Sequence, residues 1–168
     1  MKDDYFGDSF DIVKRFFVRQ LRSSGFTVTI DPRYLEDMAK ADEFVSFVGA
    51  CAQHEPARND AVLFLDPDTG IGNGSKRSHV TTQEVANLAG SYAGIMCYDQ
   101  SFAHAKYAET LTRMKAKLEE LEAHNVSGFY YDSHARFLFA SRSSDIVGRM
   151  RSTILGTGLP VHRLVSRG

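Results

Sequence analysis

Two cysteines in 168 residues, Cys51 and Cys97, with no C-x-x-C spacing, give neither a disulfide framework nor a thiolate metal site. Both read as small core residues of a reducing compartment. There is no tryptophan and there are only four prolines, so no proline-rich linker divides the chain, which we read as a single domain over residues 1–168. No stretch approaches ~20 apolar residues, so no membrane-spanning helix is expected. The opening MKDDYFGDSF has no cationic segment followed by an apolar run, so no signal peptide is expected and the location is read as cytoplasmic. Charge of one sign is also missing: a net charge of −1 gives no support to strong non-specific nucleic-acid binding and leaves room only for a local patch.

What the chain does have is concentrated between Ala61 and Glu84. Val62 to Leu65 is a continuous apolar run, as a strand buried on both faces requires. It stops at Asp66-Pro67-Asp68, where the proline cannot donate to a ladder. A loop with Gly70, Gly72 and Gly74, the basic pair Lys76 and Arg77, and His79 follows, and Thr81 with Glu84 has the spacing of a capping box. The loop is longer than the ~2–6 residues usual between strand and helix, and excess length there points to function.

In chain order, Asp8 or Ser9 caps a helix over roughly 9–22, with Phe10, Val13, Phe17 and Leu21 inward and Lys14, Arg15, Arg19 and Arg22 outside that stripe. Phe26 to Ile30 reads as a strand closed by Asp31-Pro32, followed by a helix over roughly 33–50. After a helix near 81–90, Ala93 to Tyr98 is a strand, and roughly 102–124 is a helix burying Leu111, Met114, Leu118 and Leu121 while showing Lys115, Lys117, Glu119 and Glu120 to water. Gly128 to Tyr131 is a strand. Arg136 to Ala140 is its bent continuation or the return arm of a hairpin. Ser144 caps a last helix, and Val161 to Val165 is a final strand. Strands alternating with helices predict an α/β three-layer Rossmann-like sandwich with a mostly parallel sheet.

Four expected strands end in aspartate: Asp31, Asp66, Asp99 and Asp132. Right-handed crossovers gather the carboxyl ends of parallel strands at one sheet edge, where open α/β sheets bind ligands. Gathered carboxylates repel, and a divalent cation with oxygen ligands, Mg²⁺ or Mn²⁺, would relieve that. Aspartate also caps helices and closes turns, which is the ordinary use of Asp31 before Pro32. The pair Asp66 and Asp68 exceeds what one turn requires, so we expect a metal on Asp66, Asp68 and Asp99. His134, in Asp-Ser-His-Ala-Arg, is the candidate acid or base, with Asp132 to fix its tautomer. Lys76, Arg77, His79, Ser101 and Arg136 are candidates to meet substrate, the cations by pairing with phosphate. The glycine loop lacks the glycine before lysine that a P-loop has, since Ser75 stands there.

Three resemblances rest on these motifs. Asp66-Pro67-Asp68 at a strand end, then a helix, then a strand ending in Tyr98-Asp99, resembles the D-P-P-Y half of Rossmann-like N6-methyltransferases, with Asp68 and Thr69 where the second proline and tyrosine stand. That resemblance implies a methyltransferase-type domain and S-adenosylmethionine, although no glycine-rich loop follows the first strand. FGDSFDIVK, LDPDTG, YDQS and YDSHARF together resemble an uncharacterised bacterial and phage family, which implies no activity. Asp66-x-Asp68 after an apolar strand is also similar to the D-x-D motif of haloacid-dehalogenase-type phosphatases, with Ser101, Lys106 or Lys115, and Asp132 in the later roles.

The expected function is metal-dependent hydrolysis of a phosphoester in a nucleotide or nucleic acid. The alternatives are a methyltransferase-type domain, active or degenerate, and a non-catalytic nucleotide- or protein-binding module.

Overall fold

The computed structural model describes residues 6–36, 38–52, 60–72, 79–102 and 105–167. Its helices are α1 (Ser9–Ser23), α2 (Ala41–Val48), α3 (Thr82–Leu88), α4 (Tyr107–Ala123) and α5 (Ser144–Gly156). Its strands are β1 (Thr27–Ile30), β2 (Cys51–Ala52), β3 (Ala61–Leu65), β4 (Gly94–Tyr98), β5 (Ser127–Tyr131), β6 (Phe137–Ser141) and β7 (Leu164–Val165). The strands form one sheet in the order β2-β1-β3-β4-β6-β5-β7.

Local chemistry sets the boundaries. The Asp8 carboxylate accepts from the backbone N–H of Phe10 and Asp11 and starts α1, and the Thr81 hydroxyl accepts from Glu84 N–H to start α3. Ser143, not Ser144, caps α5. The helix expected over 33–50 is shorter. Asp31 accepts from Arg33 N–H and closes a 3-10 turn over Pro32–Tyr34, and α2 begins only at Ala41 and stops at Gly49, whose φ is +84°. The long helix also begins later than expected, because Phe102 is buried in the core instead of opening it.

The sheet is mixed, not mostly parallel. β2, β1, β3 and β4 pair in parallel, whereas β6 is antiparallel to β4 and β5, and β7 is antiparallel to β5. Tyr131 and Phe137 pair across the turn between β5 and β6, so Phe137 to Ser141 is the return arm of a hairpin. The connection is too short for a crossover, which takes a dozen residues or more.

Pleating divides β3 between two cores. Val62 and Phe64 lie in a cluster with Phe17 and Leu21 of α1, Phe44 and Val48 of α2, and Ile154 of α5. Leu63 and Leu65 lie in a second cluster with Val85 of α3 and Met114 and Leu118 of α4. Successive strand residues point to opposite faces, so α1, α2 and α5 cover one face and α3 and α4 the other. From β1 the chain steps one way to β2, and from β3 the other way to β4, so right-handed crossovers put α2 and α3 on opposite faces. The junction of β1 and β3 is therefore the switch point of the strand order. Among the described residues, no helix is long and apolar enough to cross a membrane.

Candidate functional site

Because β5 runs antiparallel to β6 and β6 antiparallel to β4, β5 runs in the direction of β1, β3 and β4. The carboxyl ends of all four strands, with Asp31, Asp66, Asp99 and Asp132, thus lie at one sheet edge. Backbone bonds hold three of these corners: Asp31 N–H donates to Phe64 O at 3.0 Å, Asp99 N–H to Arg136 O at 2.9 Å, and Asp132 N–H to Arg163 O at 2.7 Å.

The pleat then separates what the edge gathers. Asp66 follows Leu65 and turns to the α1 face, whereas Asp99 follows Tyr98, which packs on the α1 face, and so turns to the α4 face. Each carboxylate there meets a protein cation. Asp66 Oδ2 is 2.8 Å from Lys14 Nζ, and Lys14 is also 3.0 Å from Asp11 Oδ1, with all three residues buried. Asp99 Oδ2 is 2.8 Å from Lys117 Nζ and accepts from the Tyr130 hydroxyl at 2.9 Å, while its Oδ1 accepts from Ile71 N–H and Ser101 N–H. Asp132 Oδ1 is 3.0 Å from Arg136 Nε, and Asp31 is 2.6 Å from Arg33.

Two carboxylates share the Lys14 ammonium, so the Asp11–Lys14–Asp66 group is one negative charge in excess. Burial works against the lysine's charge, but Asp66 and Asp11 outweigh it and hold the Lys14 pKa above the usual lysine value. Burial is also the largest influence on Asp66 and pushes its carboxyl above the usual range, with Lys14 pulling the other way. The Tyr98 phenol, whose ring lies 4.9 Å from Lys14 Nζ, is pushed up by burial and then by the negative charge of Asp66.

His134, exposed in the β5–β6 turn, stacks on Phe10 of α1 with ring centroids 5.2 Å apart, and Phe10 packs on Tyr98. His134 therefore belongs to the Asp66 side of the edge. Its expected partner Asp132 turns to the other face and holds Arg136, whose guanidinium lies 5.7 Å from the Phe102 ring. Ser101 Oγ accepts from Lys117 at 2.6 Å, and His79 Nδ1 meets the Thr69 hydroxyl. Asp68 is exposed. Lys76 and Arg77 lie outside the described residues. The structure thus puts Asp66 and His134 on the same face of the edge, linked through Lys14, Tyr98 and Phe10, and Asp99, Ser101 and Arg136 on the other. Among the described residues, no group of three or more His, Cys, Asp or Glu side chains is arranged to hold a metal. Asp99, the expected third metal ligand, already accepts four hydrogen bonds.

The residues missed in the sequence are Asp11, Lys14, Lys117 and Tyr130. Both lysines carried a signal. Lys14 falls four residues after Phe10 and three before Phe17, and Lys117 three after Met114, so each is a cation inside an apolar stripe rather than opposite one.

Gly70 has φ +80°, and a Cβ there would stand 2.5 Å from Gln100 N and 2.8 Å from Ser101 N. Gly70→Ala should therefore cost about 2–3 kcal/mol, from left-handed strain and overpacking together. A urea titration checks this, and an unchanged midpoint would contradict the close approach of the two loops.

Set against known proteins, the chain matches no family model, no curated protein and no solved structure.

Proposed function

We propose that the protein is a Rossmann-like α/β hydrolase that cleaves a phosphoester of a nucleotide or nucleic acid, working at the Asp66-Pro67-Asp68 corner. The observation that supports this is the company Asp66 keeps beside the switch point. α1 brings Asp11 and Lys14 to it, and the β5–β6 turn brings His134 to the same side. The exposed Asp68 carboxylate, with Asp66, would hold Mg²⁺ or Mn²⁺, whose chemistry is to polarise the phosphoryl oxygen. Asp99 has no part in it, since its oxygens are already engaged. Lys14 anchors the Asp66 oxygen it holds. His134 stands in solvent reach on a rigid aromatic shelf, where it moves a proton to or from the reacting group. The reading implies a reducing cytoplasm, in which the Cys51 thiol, exposed and not in the core as expected, and the buried Cys97 thiol would both stay free.

The test is metal-dependent stabilisation and turnover. At a hundred times Kd, Mn²⁺ should stabilise the wild type by about 2.7 kcal/mol. Asp68→Asn should gain much less than the wild type when metal is added, because the amide lacks the charge that would hold the cation. His134→Ala should keep the metal shift and lose about 10²–10⁴-fold in phosphoester cleavage. Equal metal shifts in wild type and Asp68→Asn would end the metal reading.

A second reading is favoured by one observation. Asp66-Pro67-Asp68 ends the strand next to the switch point, and the adjacent parallel strand ends in Tyr98-Asp99, the order that the D-P-P-Y resemblance implies. A methyltransferase-type domain would bind S-adenosylmethionine. The corner after β1, however, is filled by the Pro32–Tyr34 turn and the Arg33–Asp31 pair instead of a glycine loop. Calorimetry with S-adenosylmethionine decides between the two readings.

A further inference from the structure

The other face of the edge carries a recess that the phosphoester reading does not use. It has a volume of about 340 Å³ and is lined by Ile71, Gly72, Thr82, Ser101 and one side of α4, formed by Arg113, Ala116, Lys117 and Glu120. Its floor is already built. The Lys117 ammonium donates to Ile71 O at 2.7 Å, Asp99 Oδ2 at 2.8 Å and Ser101 Oγ at 2.6 Å. Those three bonds use all three of its N–H groups, so Lys117 holds the wall and has no donor left for a ligand.

Two donors remain. Ser101 Oγ accepts from Lys117, so its own proton is free to donate away from the lysine, and the adjacent positive charge makes it a stronger donor. Arg113 is exposed, and its partner Glu109 lies one turn back on the same helix, both side chains about half exposed. Such a pair contributes only a few tenths of a kcal/mol, so the guanidinium can leave Glu109 for a stronger acceptor. A planar fork beside a hydroxyl suits a phosphomonoester better than a carboxylate, because phosphate offers three oxygens to bidentate and single donors together. Across the recess, Glu120 accepts from the Thr82 hydroxyl at 2.7 Å. A carboxylate at that wall repels a second anionic group and accepts from hydroxyls. Ala116, exposed on α4, gives an apolar contact for the face of a ring.

We propose that this recess binds a small phosphomonoester bearing hydroxyl groups, of the class of a nucleoside monophosphate, with Arg113 and Ser101 on the phosphate and Glu120 on the hydroxyls. The proposal is independent of the Asp68 metal reading, since the two corners lie on opposite faces of the sheet.

Titration calorimetry of the full chain with adenosine 5′-monophosphate, without divalent metal, tests it. The wild type should bind saturably with Kd below about 1 mM, and adenosine lacking the phosphate should bind at least about tenfold more weakly. Arg113→Gln, an exposed change that leaves the core intact, should weaken binding about tenfold or more, and Ser101→Ala should weaken it by a smaller factor. Asp68→Asn should bind as the wild type does. No saturable binding by the wild type overturns the proposal. So does equal affinity for adenosine, an unchanged Kd in Arg113→Gln, or loss of binding in Asp68→Asn, which would move the phosphate to the other corner.

Discussion

Lys14→Met should cost about 3–5 kcal/mol of folding stability at neutral pH, since it leaves Asp66 and Asp11 buried without their cation. Methionine fills the same channel between the Phe44 and Tyr98 rings, which lie 5.6 and 4.9 Å from the Lys14 ammonium, so little of the loss would come from a cavity. The loss should depend on pH. Asp66, buried, binds its proton more tightly in the folded chain than an ordinary aspartate does, so its contribution to stability falls as pH rises from the ordinary aspartate range through the higher folded pKa. Lys14, whose folded pKa is raised, contributes stability that is fully present below the ordinary lysine value and lost only in alkali. Between those limits the lysine is charged and compensates Asp66. Without it, Asp66 shifts further up, and the window in which stability falls with rising pH widens toward neutrality. Urea titrations of the two proteins should therefore differ most at neutral pH and converge in acid, where Asp66 is protonated in both. Adding Asp66→Asn to Lys14→Met should recover a large part of the loss, because the buried charge is gone. A loss under about 1 kcal/mol, or one that does not change with pH, would mean that water reaches the pair.

Asp99→Ala should also cost about 3–5 kcal/mol, with or without metal. The substitution strands the Lys117 ammonium, the buried Tyr130 hydroxyl, and the N–H groups of Ile71 and Ser101. Asp99→Asn should cost less, because the amide oxygen still accepts from the backbone while the charge is lost. The contrast with Asp68→Asn is diagnostic: one corner should respond to metal and the other only to the loss of hydrogen bonds. If Mn²⁺ raised the melting temperature of wild type but not of Asp99→Asn, Asp99 would return as a metal ligand.

The edge was readable in the sequence and the face was not. Apolar runs ending in aspartate locate Asp31, Asp66, Asp99 and Asp132 at one edge, and Asp8 and Thr81 announce their helices by side-chain capping. What divides Asp66 from Asp99 is the parity of the pleat. A fully buried strand such as β3 or β4 shows no polar alternation to read that parity from. The ion pairs were hidden for a different reason. Lys14 and Asp11 are 52 and 55 residues from Asp66 in the chain, and while the spacing marks Lys14 as inward, only tertiary packing shows which carboxylates it meets. The mixed sheet turned on the turn from Asp132 to Arg136, which could have been read as a bend or as a hairpin.

The place of β6 also sets an order of assembly. β4 takes its second neighbour not from the next strand in the chain but from the one after it, so that side of β4 stays open until the β5–β6 hairpin arrives as a unit. The hairpin closes locally and quickly, whereas the parallel pairs of β1, β3 and β4 wait on crossovers. On a ribosome, the Asp11–Lys14–Asp66 group is complete in composition long before Tyr130 and Arg136 have been made. One face of the edge can thus settle during synthesis, while the Asp99 corner stays unfinished until nearly the whole polypeptide has emerged.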